Sequence, residues 1–233
     1  MSIENVSPIM EIESLSRASG GSFHHLSAEE IEVHLRIRSY GGFQLPDAIR
    51  PSYDLQVIPS EGFRYEYFIE SASDRMAPVL ISSVSKERLV DLFLDLISTL
   101  KESVDVVLET THSHSERLRV PKEYRRCEID TPVLQSYLIA QEELLLADGF
   151  TSISVLDTAS HLEVRLDEHK LLYMYGGKWS RFTKVLNDHG VFYAPDITFI
   201  TDAEHVHISN RHFREQFERF RICLGIENDY HSA

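Results

Sequence analysis

Hydrophobic and polar residues alternate strictly over residues 31–38, which gives the clearest two-residue period in the chain. The apolar positions of this segment are Ile31, Val33, Leu35 and Ile37. The preceding sequence Ser27-Ala28-Glu29-Glu30 has the form of a helix capping box. Four successive alternations outweigh one capping signal, so residues 31–38 are predicted to form a half-buried strand.

The rest of the chain mixes short alternating segments with helical stripes. Further strands are predicted at residues 54–58, 64–70, 78–84, 104–110, 152–157, 161–166, 170–175, 197–201 and 205–208. Helices are predicted after Ser85, over residues 131–148, between Lys178 and Gly190, and between Asn210 and Gly225. The last of these helices carries Phe213, Phe217 and Phe220 along one face, and this stripe is expected to pack on the sheet of its own half.

Both halves of the chain follow a similar order of three strands, a helix, one or two strands and a helix. The sequence VDVVLETTHSH in the first half loosely matches PDITFITDAEH in the second. We therefore predict a degenerate duplication, which places residues 104–110 on 196–201 and the helix after Ser85 on the helix after Lys178. The fold class that follows is α+β, with an antiparallel sheet or pair of sheets and helices packed on one side.

Three units follow from this order of elements. Residues 1–29 form an N-terminal extension with a short helix at 8–18, residues 30–148 form the first half, and residues 149–233 form the second half. The helix predicted at 131–148 is shared at the junction. No Pro/Gly/Ser-rich linker separates the halves near Gly149, so they are expected to pack closely.

The second half, taken with its leading helix, runs helix, three strands, helix, two strands, helix. That order resembles the type III secretion chaperones and related chaperone-like domains. The resemblance implies a small acidic protein whose antiparallel sheet and flanking helices bind protein segments without catalysis. It covers residues 131–233 and rests on the order of elements, with no diagnostic motif. Those chaperones are usually single-domain dimers, whereas this chain carries two units.

The charge balance narrows the choice of partners. Asp and Glu number 37 against 23 Lys and Arg, which gives a formal net charge of -14. Such a surface repels phosphates, so it argues against nucleic acid and favours a protein with a basic face. The two cysteines, Cys127 and Cys223, lie far apart and do not make a disulfide scaffold. With no signal peptide and no apolar run of membrane length, a cytoplasmic location is expected.

Two His-x-His pairs, His112 with His114 and His205 with His207, are candidate metal ligands. Residues two apart on a strand point the same way, so two imidazoles can converge on one ion. A catalytic zinc site needs three protein ligands and an open position. The alternation of the second pair with Val206 and Ile208 favours a simpler arrangement, in which the apolar residues are buried and the histidines lie in water. The first pair has no apolar neighbour and is typical of a loop.

Two Tyr-Gly-Gly turns each end a predicted strand, and the second leads into a helix through Lys178, Trp179, Ser180 and Arg181. Free backbone N–H groups of Gly176 and Gly177 at this helix start, with Lys178 and Arg181 beside them, are a candidate anion or ligand site. A plain strand-to-helix turn is the alternative. Trp179, the single tryptophan, is a candidate for contact with a partner or for a place in the core.

The basic run ERLRVPKEYRRC ends at Cys127, and interspersed acids favour a solvated connector over a site for an acidic ligand or a nucleophilic cysteine. The Gly-x-Ser-x-Gly, His-Glu-x-x-His and Rossmann glycine patterns are absent from the sequence. The preferred function is non-catalytic binding of a protein or peptide by a chaperone-like, adaptor or inhibitor module, without a cofactor and with a homodimer as one arrangement. The alternative is a metal-dependent hydrolase built on the two histidine pairs.

Overall fold

A computed structural model describes residues 11–13, 21–70, 75–112 and 121–226 of the 233-residue chain. The helices are α1 (Ala28–Leu35), α2 (Lys86–Ile97), α3 (Thr131–Ala140), α4 (Glu142–Ala147), α5 (Trp179–Asp188) and α6 (Arg211–Cys223). The strands are β1 (Glu11–Glu13), β2 (Ser39–Tyr40), β3 (Phe43–Gln44), β4 (Ile49–Pro51), β5 (Gly62–Glu70), β6 (Arg75–Ser83), β7 (Ser103–Thr110), β8 (Lys122–Asp130), β9 (Thr151–Asp157), β10 (Leu162–Leu166), β11 (Leu172–Tyr175) and β12 (His205–Ser209). Within the described ranges, none of the helices combines the length and apolar character that a membrane span needs.

A seven-stranded antiparallel sheet in the order β5-β6-β11-β10-β9-β7-β8 forms the centre of the molecule. A smaller antiparallel sheet, β1-β12-β4, lies beside it, and β2 pairs with β3 in a short hairpin. The α+β class with antiparallel sheets is therefore confirmed. The main core lies between the large sheet and the helices, where the buried face of α2 meets strand residues such as Val106, Val155 and Val164.

Helices α2 and α6 form where the sequence predicts them, and each buries its apolar stripe. Leu89, Leu92, Phe93 and Leu96 of α2 are buried, and Ser85 is the residue before its first turn. Asn210 caps α6, because its side chain accepts a hydrogen bond from the Phe213 backbone N–H at 3.1 Å. The three phenylalanines of α6 are buried in the main core within a single chain. The stripe is buried within the chain, but Phe217 contacts Tyr124 of β8 in the first half and the large sheet combines strands of both halves, so the prediction that it packs on a sheet of its own half is wrong.

The strand predicted at residues 31–38 is wrong, because residues 28–35 form α1. The Ser27 side chain accepts a hydrogen bond from the Glu30 backbone N–H, and the Glu30 carboxylate accepts one from the Ser27 backbone N–H. This capping box starts the helix. The buried and half-buried positions Ile31, His34 and Leu35 then follow helical spacing, while Val33 is 59% exposed.

The strands predicted at residues 54–58 and 197–201 are also wrong. The first segment is a turn in which Leu55 has a φ of 51°, a left-handed conformation that a strand does not contain. The second is extended backbone followed by one 3-10 turn at Ile200–Asp202, outside both sheets. Residues 104–110 form β7 inside the large sheet, so their predicted equivalence to 196–201 is wrong. The basic segment beyond the undescribed residues 113–120 is not a connector, because Lys122–Asp130 is the edge strand β8.

Candidate metal centre

Strand β12 presents two different faces because its residues alternate. Val206 and Ile208 are buried against Phe23 and Leu35, so α1 and the preceding loop cover the apolar face. His205 and His207 lie on the opposite face and are only half-exposed. The sequence placed these histidines in water, but their face of β12 meets the turn between β10 and β11.

That turn supplies a third histidine, His169. The Asp167 carboxylate accepts a hydrogen bond from the Leu171 backbone N–H at 2.8 Å and lies 2.8 Å from His169 Nδ1. Lys170 has a φ of 61° and is buried, and its ammonium group donates to the Thr151 carbonyl at 2.9 Å. These contacts fix the turn at both sides of His169, so its ring is held against β12.

His169, His205 and His207 form what we call the histidine cluster. One ring nitrogen from each of the three residues lies within 4.8 Å of the other two. The ring centroids are separated by 5.0 Å between His169 and His205, 4.7 Å between His169 and His207, and 5.2 Å between His205 and His207. Zinc–imidazole bonds measure about 2.0–2.1 Å, so modest side-chain movements would bring the three nitrogens to one ion.

The Nδ1 atom of each histidine already has an acceptor. His205 Nδ1 lies 2.8 Å from the Ala203 carbonyl, and His207 Nδ1 lies 2.8 Å from the Gly149 carbonyl. Since a carbonyl only accepts, both Nδ1 atoms carry the proton, and Nε2 is left with its lone pair. The Asp167 carboxylate, 2.8 Å from His169 Nδ1, holds the proton on that nitrogen in the same way. Held imidazoles with outer hydrogen bonds of this kind are typical of metal ligands.

The electrostatics of the histidine cluster favour neutral rings on β12. Burial, and then the neighbouring His169, lower the pKa of His207 to about 4, and burial also lowers the pKa of His205. Burial opposes the charged form of His169 as well, but the hydrogen bond and charge of Asp167 together with the charge of Glu168 outweigh it and raise that pKa. Glu168 is half-buried, and although this burial opposes its charged form, the hydrogen bond from Ser152 and its other contacts lower its pKa to about 2. Its negative charge would offset part of the charge of a cation.

Asp167 and Glu168 also form a group of possible ligand atoms with His169. Among the described residues, no fourth side chain joins all three histidines in one group. Three imidazole ligands with one position left open is the arrangement of catalytic zinc sites, whereas structural zinc is usually closed by four protein ligands. The chemistry available to the histidine cluster is therefore metal coordination with an exchangeable ligand such as water.

The first predicted histidine pair lies elsewhere. His112 Nε2 is 2.9 Å from an oxygen of Asp148, which is fully buried, and His112 has no place in the histidine cluster. His114 lies outside the described residues. Two of the four predicted metal ligands, His205 and His207, therefore meet each other, and the third ligand is one that the sequence reasoning missed. An isolated histidine in a turn gives no spacing signal, because its neighbours are brought together only by the fold.

The predicted anion site at the start of α5 has the features of a strand-to-helix turn. Gly176 and Gly177 have φ values of 106° and 72°, and a Cβ on Gly176 would lie 2.1 Å from the His161 carbonyl oxygen. Arg181 donates to the Thr99 carbonyl at 2.8 Å, while Lys178 is exposed. Among the described residues nothing else converges on these N–H groups, so the glycines are explained by backbone geometry.

Trp179, predicted to contact a partner or the core, is half-buried against the main core. Its ring meets Tyr65 edge-on, with the centroids 5.8 Å apart. The two cysteines are free and exposed, and Cys127 lies on β8.

Comparison of the chain with protein-family models, curated proteins and solved structures finds no match.

Gly149 supports the histidine cluster through its backbone, and its replacement by alanine is expected to disturb it. A Cβ at this position would lie 2.5 Å from the Ala48 carbonyl oxygen and 3.0 Å from the backbone of Ile208. Forced backbone movement of this kind costs about 1–3 kcal/mol. We expect a loss of stability in that range by chemical denaturation, together with weaker metal binding because the Gly149 carbonyl holds His207. Gly177→Ala is the control for backbone strain without a steric clash, because a Cβ there has no neighbour within 4 Å but the φ of 72° is unfavourable for alanine; it should leave metal binding unchanged.

Proposed function

We propose that this protein binds a divalent transition metal, zinc being the best fit, through His169, His205 and His207. The proposal is supported by the convergence of one ring nitrogen from each of the three histidines within 4.8 Å, together with the hydrogen bond that each Nδ1 makes to a carbonyl or a carboxylate. Neutral imidazoles are ligands that zinc, copper, iron and nickel share. Hard cations such as magnesium and calcium prefer oxygen ligands and fit this set poorly.

We propose further that the bound ion serves a hydrolytic reaction. Zinc held by three protein ligands lowers the pKa of its bound water to about 7 and polarises a carbonyl or phosphoryl oxygen. The three histidines would hold the ion, and the Asp167 carboxylate would keep His169 in the tautomer that offers Nε2. The half-exposed position of the cluster is compatible with access for water and a small substrate.

Binding of a protein or peptide, the function that the acidic composition favours, stays a proposal. So do the chaperone-like character of residues 131–233 and the cytoplasmic location, for which the two free cysteines are the supporting observation. A metal centre is compatible with all three.

The metal proposal is tested by metal analysis and titration calorimetry on chelator-treated protein. We expect one zinc or cobalt ion to bind for each chain at neutral pH. His207→Ala and His169→Ala are expected to weaken binding by more than the roughly 10–100-fold that loss of an outer-shell partner costs. His212→Ala is the matched control, because His212 is exposed at the start of α6. Equal binding by all these variants, or no binding by the wild type, would contradict the metal centre.

The hydrolytic step has its own test. Cobalt-loaded protein is expected to show the visible spectrum of a four- or five-coordinate ion, and zinc-loaded protein is expected to hydrolyse an activated ester such as p-nitrophenyl acetate. Activity should disappear in His207→Ala and persist in His212→Ala. Metal binding with no metal-dependent turnover of activated carboxylate or phosphate esters would leave a metal-binding protein and refute the hydrolase.

A further inference from the structure

A surface cavity of about 360 Å³ lies between α6 and the β7–β8 end of the large sheet, and we call it the α6 cavity. This volume is within the range of roughly 300–1,000 Å³ that small-molecule sites occupy in proteins. One wall includes His112, which follows β7, and the other is formed by four charged residues of α6, Arg214, Glu215, Glu218 and Arg219. No residue of the histidine cluster is among the described residues that line the α6 cavity, so it is a separate candidate site.

The two glutamates of the α6 cavity already have cationic partners that are not among its lining residues. Glu215 Oε1 accepts a hydrogen bond from Arg211 Nε at 3.0 Å. Glu218 Oε2 accepts hydrogen bonds from Arg221, at 3.1 Å from Nε and at 2.9 Å from Nη2. Both carboxylates are therefore paired along α6, and neither forms an ion pair with the two arginines of the cavity wall.

Those two arginines are unusual in this chain. Arg214 is half-buried and Arg219 is exposed, and neither guanidinium group makes a hydrogen bond or an ion pair with a described residue. Every other arginine whose side chain the structure describes has a carboxylate or a backbone carbonyl as its partner. Because the chain has 37 acidic residues against 23 Lys and Arg, acceptors are abundant, yet two guanidinium groups of one cavity lack them. Arginine binds phosphate and carboxylate oxygens through paired N–H donors, so this wall favours an anion.

His112 contributes a second polar group on the sheet side of the α6 cavity. Its side chain is only 5% exposed, and its Nε2 lies 2.9 Å from the fully buried Asp148. Burial opposes the charge of Asp148, but the hydrogen bonds that it accepts lower its pKa, so the carboxylate is ionised and Nε2 carries the ring proton. Nδ1 then keeps its lone pair, and among the described residues nothing donates to it. A nearly buried nitrogen without a partner at a cavity wall indicates a ligand that donates to it, such as a hydroxyl group.

We propose that the α6 cavity binds a small organic phosphate monoester that also carries a hydroxyl group. Arg214 and Arg219 bind the phosphate, and His112 Nδ1 accepts a hydrogen bond from the hydroxyl. A phosphate monoester carries close to two negative charges near pH 7, which matches two guanidinium groups, and its oxygens accept several N–H donors at once. The cavity volume leaves room for a short carbon chain, as in glycerol 3-phosphate.

The overall net charge of -14 does not prevent binding at this site. Charges more than about 8–10 Å apart are largely screened at physiological ionic strength, so the two arginines next to the ligand outweigh distant carboxylates. The proposal also does not rest on the metal centre, because the α6 cavity and the histidine cluster share no described side chain. Chelator-treated protein is therefore expected to bind the same ligand.

The first test is titration calorimetry of glycerol 3-phosphate into the chelator-treated full chain at physiological salt. We expect one site for each chain, and at least tenfold weaker binding in both Arg214→Gln and Arg219→Gln. Arg36→Gln is the matched control, because Arg36 is a 75% exposed arginine of α1 that does not line the cavity, and this variant should bind like the wild type. No binding by the wild type, or equal binding by all three variants, would overturn the proposal.

The second test compares ligands that differ in one group. The wild type is expected to bind glycerol 3-phosphate at least tenfold more tightly than propyl phosphate, which lacks the hydroxyls, because a site built to pair with a hydroxyl rejects an analogue without one. His112→Gln keeps an N–H donor for Asp148 and should lose most of this preference, with its melting temperature as the check on folding. Glycerate has the hydroxyls but a single carboxylate charge, and it should bind more weakly than glycerol 3-phosphate. Equal binding of propyl phosphate by the wild type, or tighter binding of glycerate, would contradict this ligand.

Discussion

Replacing Phe217 with alanine is expected to lower the free energy of unfolding by about 3–5 kcal/mol, the range found when a phenylalanine is removed from a packed core. The Phe217 side chain is fully buried in the main core. Its ring contacts Tyr124 of β8, with a centroid separation of 5.8 Å, and lies 6.4 Å from His112. The variant therefore loses both apolar burial and ring contacts that connect α6 to the β7–β8 end of the sheet.

The measurement is urea denaturation at several protein concentrations. The difference between variant and wild type is expected to be the same at each concentration, because Phe217 is buried within one chain. Ile222→Ala on the same helix is the control: Ile222 is 63% exposed, and exposed substitutions usually change stability by less than about 0.5 kcal/mol. A variant difference that grows on dilution would instead place α6 at an interface between copies.

Elements with a strong local signal were predictable from the sequence. The α2 stripe is apolar at helical spacing over three turns, and α6 has both a capping asparagine and a glycine at its end, where Gly225 has a φ of 71°. Strands β9 and β10 pair in the large sheet close to their predicted bounds. In each of these elements the repeating apolar residues lie on one buried face, so the local sequence pattern is sufficient to predict the element.

The wrongly predicted elements failed for two different reasons. Residues 31–38 alternate as well as any strand, but the Ser27–Glu30 capping box, which the sequence shows and which was given too little weight, starts a helix that the burial of Leu35 against Phe23 stabilises. Residues 197–201 have a strand composition, yet Ile197 and Phe199 pack their side chains onto Val79 and Ile81 of the large sheet. Their backbone covers the sheet instead of joining it, so apolar composition without a free edge does not make a strand.

The sequence identified some residues of the candidate site and missed others. His205 and His207 were identifiable because a two-residue spacing on a strand places both rings on one face. His169 was not, because 36 residues separate it from His205 in the sequence. Asp148 was predicted only as the residue that closes a helix, although it holds together a buried polar network behind the histidine cluster.

This network joins the two sheets. One Asp148 oxygen accepts the Ser209 hydroxyl at 2.5 Å, and the other accepts the Thr151 hydroxyl at 2.5 Å and lies 2.9 Å from His112 Nε2. Ser209 belongs to β12 in the small sheet, while Thr151 belongs to β9 in the large one. Burial alone would raise the pKa of Asp148, but the hydrogen bonds and charge of His112, with the two hydroxyls, outweigh it and lower that pKa.

Asp148→Ala is therefore expected to destabilise the fold by about 1–3 kcal/mol or more, because it leaves the buried hydroxyls of Ser209 and Thr151 and the His112 ring without their shared acceptor. Asp148→Asn keeps the shape of the side chain but removes its charge, so this variant isolates the contribution of the charge. A carboxyl whose pKa is lower in the folded state binds fewer protons than in the unfolded chain, so its stabilisation is present above the unfolded pKa of about 3.9 and is lost as the pH falls towards the folded pKa. In urea denaturation across a pH series, the advantage of wild type over Asp148→Asn should be constant near neutrality and shrink below about pH 4. A difference that stays the same through that acid range would mean that the Asp148 charge does not stabilise the junction between the sheets.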